Sequence, residues 1–345
     1  MSGKRQHFIP RFLLSGFASH TSGEQVFTWV FRKHATPFNT NIINVGVEGL
    51  FYSQEDDHQA DDNITAVEGP FADLIGLLRN GEAEALACRQ QIAVLIAHLE
   101  MRTRHIRQSF TLTHSAIFDA VMNFVEDRDA FRDYLARKIK SEPSFMQEAM
   151  AAEFKKRNIP DTLLPYALAN IEPHLDNILL TAVANMSAIT IQLRKALPSM
   201  LKNGSKTGHI KALKETVSPE IKAKTYEGLK FQLIETKESL MILGDSILIF
   251  QTAGTRKFKP FWEPKDILQA IYLPLSPHIV LVGTNSGHIP DVSLLPLAIA
   301  QCSLEFFIGH SEQSANDDLL AHMGESSYLL SQVQIEALLA SSINK

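Results

Sequence analysis

The spacing of apolar positions changes period along the chain. Residues 26–31 are aromatic and β-branched and predict a strand, and residues 44–52 predict a second. From Asn63 the period lengthens. Val67, Phe71, Leu74, Ile75 and Leu78 share one side of a helix over 64–78, capped by Asn63 and ended by Asn80 and Gly81. Further helices are predicted near 82–110, 115–140, 144–157 and 161–201, with breaks at 111–113, Pro143 and Pro160. Between Lys202 and Lys224 the chain turns basic and carries Gly204, Gly208 and Pro219, a boundary or surface excursion. Strand-like runs follow at 231–235, 240–243, 247–250, 279–282 and 306–308, with helices at 294–301 and 334–339. The expected fold is α+β: a predominantly helical lobe with a smaller mixed or antiparallel sheet built from N- and C-terminal strands. The expected organisation is an N-terminal motif with strands (1–62), a helical lobe (63–201), a basic linker (202–226) and an α+β lobe (227–345).

Composition narrows the class. Apolar residues make up 45% and charged residues 21% of 345, an ordinary globular balance that excludes wholesale disorder. A net charge of -5 argues against a general polyanion-coating protein. The two cysteines, Cys88 and Cys302, lie far apart and the start is polar, so reduced thiols and a cytoplasmic location are expected. The apolar run at 240–250 is broken by Gly244 and Asp245 and falls short of the roughly 20 residues of a membrane span. Internal repeats, phosphate-binding loops, dinucleotide fingerprints and the Gly-x-Ser-x-Gly elbow are absent.

The predicted helix over 82–110 carries the densest candidate chemistry. Each residue turns a helix by about 100°. Ile92, Ile96, Leu99, Thr103, Ile106 and Phe110 then form the core stripe, and Gln91, His98, Arg102, His105 and Ser109 its flank. Two imidazoles around a guanidinium supply proton transfer near neutral pH and an anchor for phosphate or carboxylate. The same flank fits a structural network in which Arg102 pairs with a carboxylate such as Glu68. Arg104 and Arg107 are expected in solvent.

Other candidates also have two readings. His7 stands ahead of a short helix running from Pro10 to Phe17, with Arg11 in its first turn. The pair either positions a phosphate and moves a proton, or anchors the N-terminus onto the helical lobe. Gly244, Asp245 and Ser246 interrupt two strand-like runs and aim the Asp245 carboxylate, as base, metal ligand or Asx-turn. Arg256, Lys257, Phe258, Lys259, Phe261, Trp262 and Lys265 mix cations with aromatics, as single-stranded nucleic-acid sites do and as an anchored surface loop does. The acidic stretch 55–62 lacks the spacing of a calcium loop or zinc site.

Residues 6–17, QHFIPRFLLSGF, resemble the signature that opens the family catalogued as domain of unknown function 4238. Further landmarks agree: Phe51 and Tyr52 after a short strand, Glu68 opening a helix, Arg102 late in a long helix, Asp245 in a strand-turn context, and the box Pro274, Leu275, Ser276, Pro277. One departure is that the family reads Ser-Asp-Asn-Pro where this chain has Gly244, Asp245, Ser246 and Ile247.

The resemblance implies a shortlist and no reaction, and His105 joins the shortlist only through helix geometry. In one reading His7, Glu68, His105 and Asp245 are catalytic and Arg11 and Arg102 bind substrate, giving a hydrolase for a phosphate-bearing substrate, a nuclease or a conflict-system effector. Its partner is nucleic acid or a nucleotide. A divalent metal is compatible with it, and the sequence specifies no cofactor. In the other reading the chain is a non-catalytic interaction or sensing protein, and the same residues form a structural network. Either way His7 and Arg11 are expected to dock against the helix bearing Arg102 and His105.

Overall fold

Helix covers 57% of the chain and strand 17% in the computed structural model, so the fold is α+β with a helical majority. All residues are described except 1–4, 55, 237–239, 255, 288, 289, 344 and 345; Glu55 of the acidic stretch therefore lies outside the described residues. The chain forms two compact units, residues 1–111 with 204–329, and residues 112–203 with 330–345.

The first unit holds the sheets, and every strand pair in them is antiparallel. One sheet runs His20–Ser22, Gln25–Arg32, Phe306–Gly309, Leu243–Gly244, with Phe38–Asn41 also paired to Gln25–Arg32. N-terminal and C-terminal strands are thus interleaved, and Phe31 stacks on Phe307 at 5.3 Å. A second sheet runs Lys230–Glu235, Ile279–Thr284, Leu268–Ser276, Ile249–Thr252, Phe258–Lys259. Leu268–Ser276 is buried along nearly its whole length. Its register shifts between Pro274 and Ser276, where a residue without an N–H is tolerated. A short ribbon pairs Arg5–His7 with Val47–Gly49.

The helix boundaries correct several expectations. Gln59–Arg79 begins before Asn63, whose side chain instead donates to the Lys214 carbonyl at 3.3 Å. The predicted helix over 82–110 is split. Arg89–Arg102 ends where Thr103 turns extended (ψ 144°), and Arg104–Glu126 continues through 111–113 without the predicted break. The turn at Thr103 changes the phase of the amphipathic pattern: His105, Arg107 and Ser109 go inside, and Phe110 is exposed. Leu175–Glu215 remains helical through Gly204 and Gly208, so the basic stretch is ordered helix as far as Glu215.

In the second unit Asp127 caps Arg128–Ser141 by accepting from the Ala130 N–H at 3.1 Å. Arg194 binds Asp119, Asn123 and Glu126, at 3.1, 2.8 and 2.9 Å.

Gly16, inside the N-terminal signature, is a point of close approach. Arg79 donates from Nε to the Leu275 carbonyl at 2.8 Å and from Nη2 to the Leu13 carbonyl at 3.1 Å. A Cβ on Gly16 would overlap both the Leu275 carbonyl and the Arg79 guanidinium. Gly16→Ala is therefore expected to destabilise the chain by about 1–3 kcal/mol, the usual cost of overpacking. Chemical denaturation checks this, and an unchanged midpoint would contradict the packing.

Candidate functional site

The turn at Thr103 leaves the last carbonyls of Arg89–Arg102 without intrahelical donors. Side chains from distant segments take them. The Tyr52 hydroxyl donates to the Arg102 carbonyl at 2.7 Å, and His209 Nε2 donates to the Met101 carbonyl at 2.6 Å. This interrupted helix end is where the signature segment docks.

Arg102 is almost completely buried, with 2% of its side chain exposed. Its Nη1 donates to Glu68 Oε1 at 2.5 Å and approaches His98 Nε2 at 3.3 Å, and its Nη2 donates to the main-chain carbonyl of His7 at 2.5 Å. The Tyr52 ring lies 5.8 Å from the guanidinium carbon. His98 can serve this cation only as an acceptor. Its Nδ1 faces the Val217 carbonyl at 3.1 Å and so carries the proton, leaving an Nε2 lone pair for Arg102. Burial, then the charge of Arg102, pushes His98 down to about 3, which keeps it neutral.

The first residues are held from both sides. Gln6 bonds the Ser53 hydroxyl at 2.7 Å and accepts the Tyr52 N–H at 2.6 Å. His7 Nδ1 meets the Val45 carbonyl at 3.1 Å, and burial pulls the half-buried imidazole down to about 4. The signature thus docks on the Arg102 helix through its main chain. Arg11 is exposed on the short helix Arg11–Leu14 and its guanidinium makes no hydrogen bond among the described residues, so its predicted docking is not seen.

His105 and Asp245 lie in separate settings. The Ser109 hydroxyl gives its proton to the Ser327 carbonyl at 3.0 Å, so His105 Nε2 donates to Ser109 at 3.0 Å. His105 Nδ1 then has no partner, and burial holds this imidazole at about 3. Asp245 accepts from the N–H groups of Leu304, Glu305 and Phe306 at 2.7, 2.7 and 3.3 Å, pinning the entry to Phe306–Gly309. Burial raises its carboxyl to about 6 against the pull of those donors. The following turn places Ile247 at φ 63°, a value no proline can adopt, so the turn differs from one carrying the family's proline here. Neither residue shares a hydrogen-bond partner with Arg102. The flank of Gln91, His98, Arg102, His105 and Ser109 does not stay together: Gln91 is exposed, and the others divide between two buried networks.

Further buried groups went unnoticed in the sequence. Arg107, expected in solvent, lies 3.8 Å over the Phe51 ring and bonds the Phe51 carbonyl at 2.8 Å and His209 Nδ1 at 3.1 Å. Burial, then Arg107, holds His209 at about 4. Glu100 is 1% exposed and accepts from Lys222, Tyr226 and the Trp262 N–H at 2.6, 2.6 and 2.9 Å. Its signal was its place four residues after Ile96, a carboxylate on the core stripe. The cation and aromatic run at 256–265 is mostly internal: Lys259 pairs with Glu263 and Asp266, and Phe261 and Trp262 are buried.

Beside the docked segment, Phe8, Val45, Arg104, Glu305 and Phe306 line a shallow cleft of about 70 Å³, a volume for waters or small ions. Arg104 at its edge is paired to Glu305 at 2.6 Å. Among the described residues no group of three metal-ligating side chains is assembled, and no helix is long and apolar enough to cross a membrane.

Removing the guanidinium strands Glu68 and the His7 carbonyl. Glu68 keeps 34% of its side chain exposed, which places the expected loss for Arg102→Ala at the lower end for buried pairs, about 3 kcal/mol by denaturation. The histidines give a pH signature. His98, His105 and His209 stay neutral in the fold with values of about 3, 3 and 4, below the ordinary 6.5, so their contribution is full above pH 6.5 and lost as pH falls towards 4. Each contributes up to about 1.4 kcal/mol per pH unit. Asp245, raised to about 6 from 3.8, works in the opposite sense over that window and offsets one of them. The melting temperature is expected to fall steadily from pH 6.5 to 4.5, and a flat profile would refute neutral burial.

No curated protein and no solved structure matches the chain. The family described as protein of unknown function (DUF4238) matches residues 5–293, a span holding His7, Arg11, Glu68, Arg102, His105 and Asp245, and the chain belongs to that family.

Proposed function

We propose that this chain is a non-catalytic interaction or sensing protein in which Arg102, Glu68, His98 and the His7 carbonyl form a clasp that fixes the signature segment. The supporting observation is the buried guanidinium, whose Nη1 and Nη2 bond those protein partners while its Nε has none among the described residues. The neutral states of His98 and His105 agree with it, since neither imidazole titrates near pH 7. The cytoplasm is the compartment this reading assumes.

One observation favours a second reading, hydrolysis of a phosphate-bearing substrate such as a nucleic acid or nucleotide. Glu68 and His7 meet at Arg102, and both remain partly exposed. There Glu68 would act as base or metal ligand, His7 would carry the proton, and Arg11 and Arg102 would hold the anion. His105 and Asp245 would then be positioning residues.

Two measurements separate the readings. With Glu68→Gln, faster amide exchange over residues 6–17 is expected if the clasp is the role of this carboxylate. Wild-type protein with Mg²⁺ or Mn²⁺ is expected to leave single-stranded DNA, RNA and p-nitrophenyl phosphate intact. Cleavage that is lost in folded Glu68→Gln or His7→Gln protein would establish the hydrolase and overturn the clasp as the function of these residues.

A further inference from the structure

His278 and His310 lie at the edge of the first unit, away from the clasp in sequence and in hydrogen bonding. His278 sits at the turn joining Leu268–Ser276 to Ile279–Thr284, directly after the Pro-Leu-Ser-Pro box, and His310 follows the strand Phe306–Gly309. Their ring centroids are 6.3 Å apart and the rings are tilted by 57°. His278 is exposed and His310 half-buried, so solvent reaches both.

Each ring is anchored through Nδ1. The Thr236 carbonyl accepts from His278 Nδ1 at 3.1 Å, and the Thr236 N–H donates to the His278 carbonyl at 2.8 Å, so ring and backbone are held by one residue. A carbonyl only accepts, which puts the His278 proton on Nδ1 and leaves Nε2 with a lone pair. His310 Nδ1 meets the Ser314 hydroxyl at 3.2 Å. That hydroxyl is itself fixed, because it accepts the Ser311 N–H at 3.0 Å and packs where a side chain on Gly309 would stand. Histidines held at one nitrogen by a carbonyl or hydroxyl, with the other unpartnered among the described residues, are arranged as metal-ligating imidazoles are.

We infer that His278 and His310 form a two-histidine site for a borderline divalent transition metal such as Zn²⁺, Ni²⁺ or Cu²⁺, bound through both Nε2 atoms. The spacing fits. Opposed metal–nitrogen bonds of about 2.0–2.1 Å put imidazole centroids about 6.4 Å apart, and bent coordination brings them closer. The observed 6.3 Å is therefore at the wide end of the range, where the two metal–nitrogen bonds are nearly opposed. Water completes the coordination shell, which leaves the ion open to an additional ligand. Imidazole donors select these metals over Mg²⁺ and Ca²⁺, which take oxygen ligands. The site is independent of the clasp, and neither depends on the other's function.

The test uses the full chain without a histidine tag. Titration with Zn²⁺ or Ni²⁺ is expected to show one saturable site, weakened about tenfold or more in His278→Gln and in His310→Gln, and about tenfold in Ser314→Ala. His322→Gln, at a histidine bonded to the Asp318 carbonyl, is expected to bind like the wild type. The electron paramagnetic resonance spectrum of the Cu²⁺ form should carry hyperfine structure from two imidazole nitrogens, a readout needing no variant. Absence of saturable binding, binding unchanged in His278→Gln, or a copper spectrum without nitrogen coupling would each overturn the proposal.

Discussion

The arrangement of the first unit around the signature segment depends on the burial of one guanidinium. A cation taken out of water has to be met by acceptors on several sides, or the fold loses several kcal/mol. Arg102 stands on the last turn of Arg89–Arg102, and its acceptors come from the strand Arg5–His7, the helix Gln59–Arg79 and its own helix. These segments cannot shift independently without leaving the charge unpaired. The carbonyl of the same residue is taken by Tyr52, so side chain and main chain of one position gather four parts of the sequence.

This explains why a histidine in the signature docks through its backbone. The His7 carbonyl is the acceptor that Arg102 needs, while the imidazole is occupied with Val45. Tyr52 joins Gln6 to the same point, because its N–H meets Gln6 and its hydroxyl meets the helix end. The landmarks at Tyr52, Glu68 and Arg102 thus belong to one contact network, although they are scattered along the chain.

The sequence made part of this legible. The α+β class followed from the change of period near residues 63 and 230, and pairing of Arg102 with Glu68 followed from placing a cation on a helix flank. The turn at Thr103 did not, since nothing in the local pattern marks it, and it shifted which residues of the following turns are buried. His105 and Arg107 went inward and Phe110 outward for that one reason. The strand Leu268–Ser276 was hidden by Pro274 within it, which the bulge between Pro274 and Ser276 accommodates. Asp245 was recognised as an aimed carboxylate, but its targets lie some 60 residues on, at Leu304, Glu305 and Phe306, beyond any local reading.

The interleaving of early and late strands has a consequence for synthesis. Gln25–Arg32 leaves the ribosome long before its partner, and one of its edges is completed only by Phe306–Gly309, which also receives the Asp245 carboxylate. Contacts this distant along the chain form slowly, and an unpaired edge rich in Val, Trp and Phe invites wrong partners meanwhile. Throughout that interval the nascent chain therefore presents half of a sheet. Its window of vulnerability closes only when the chain has grown through Phe306–Gly309, the strand that covers it.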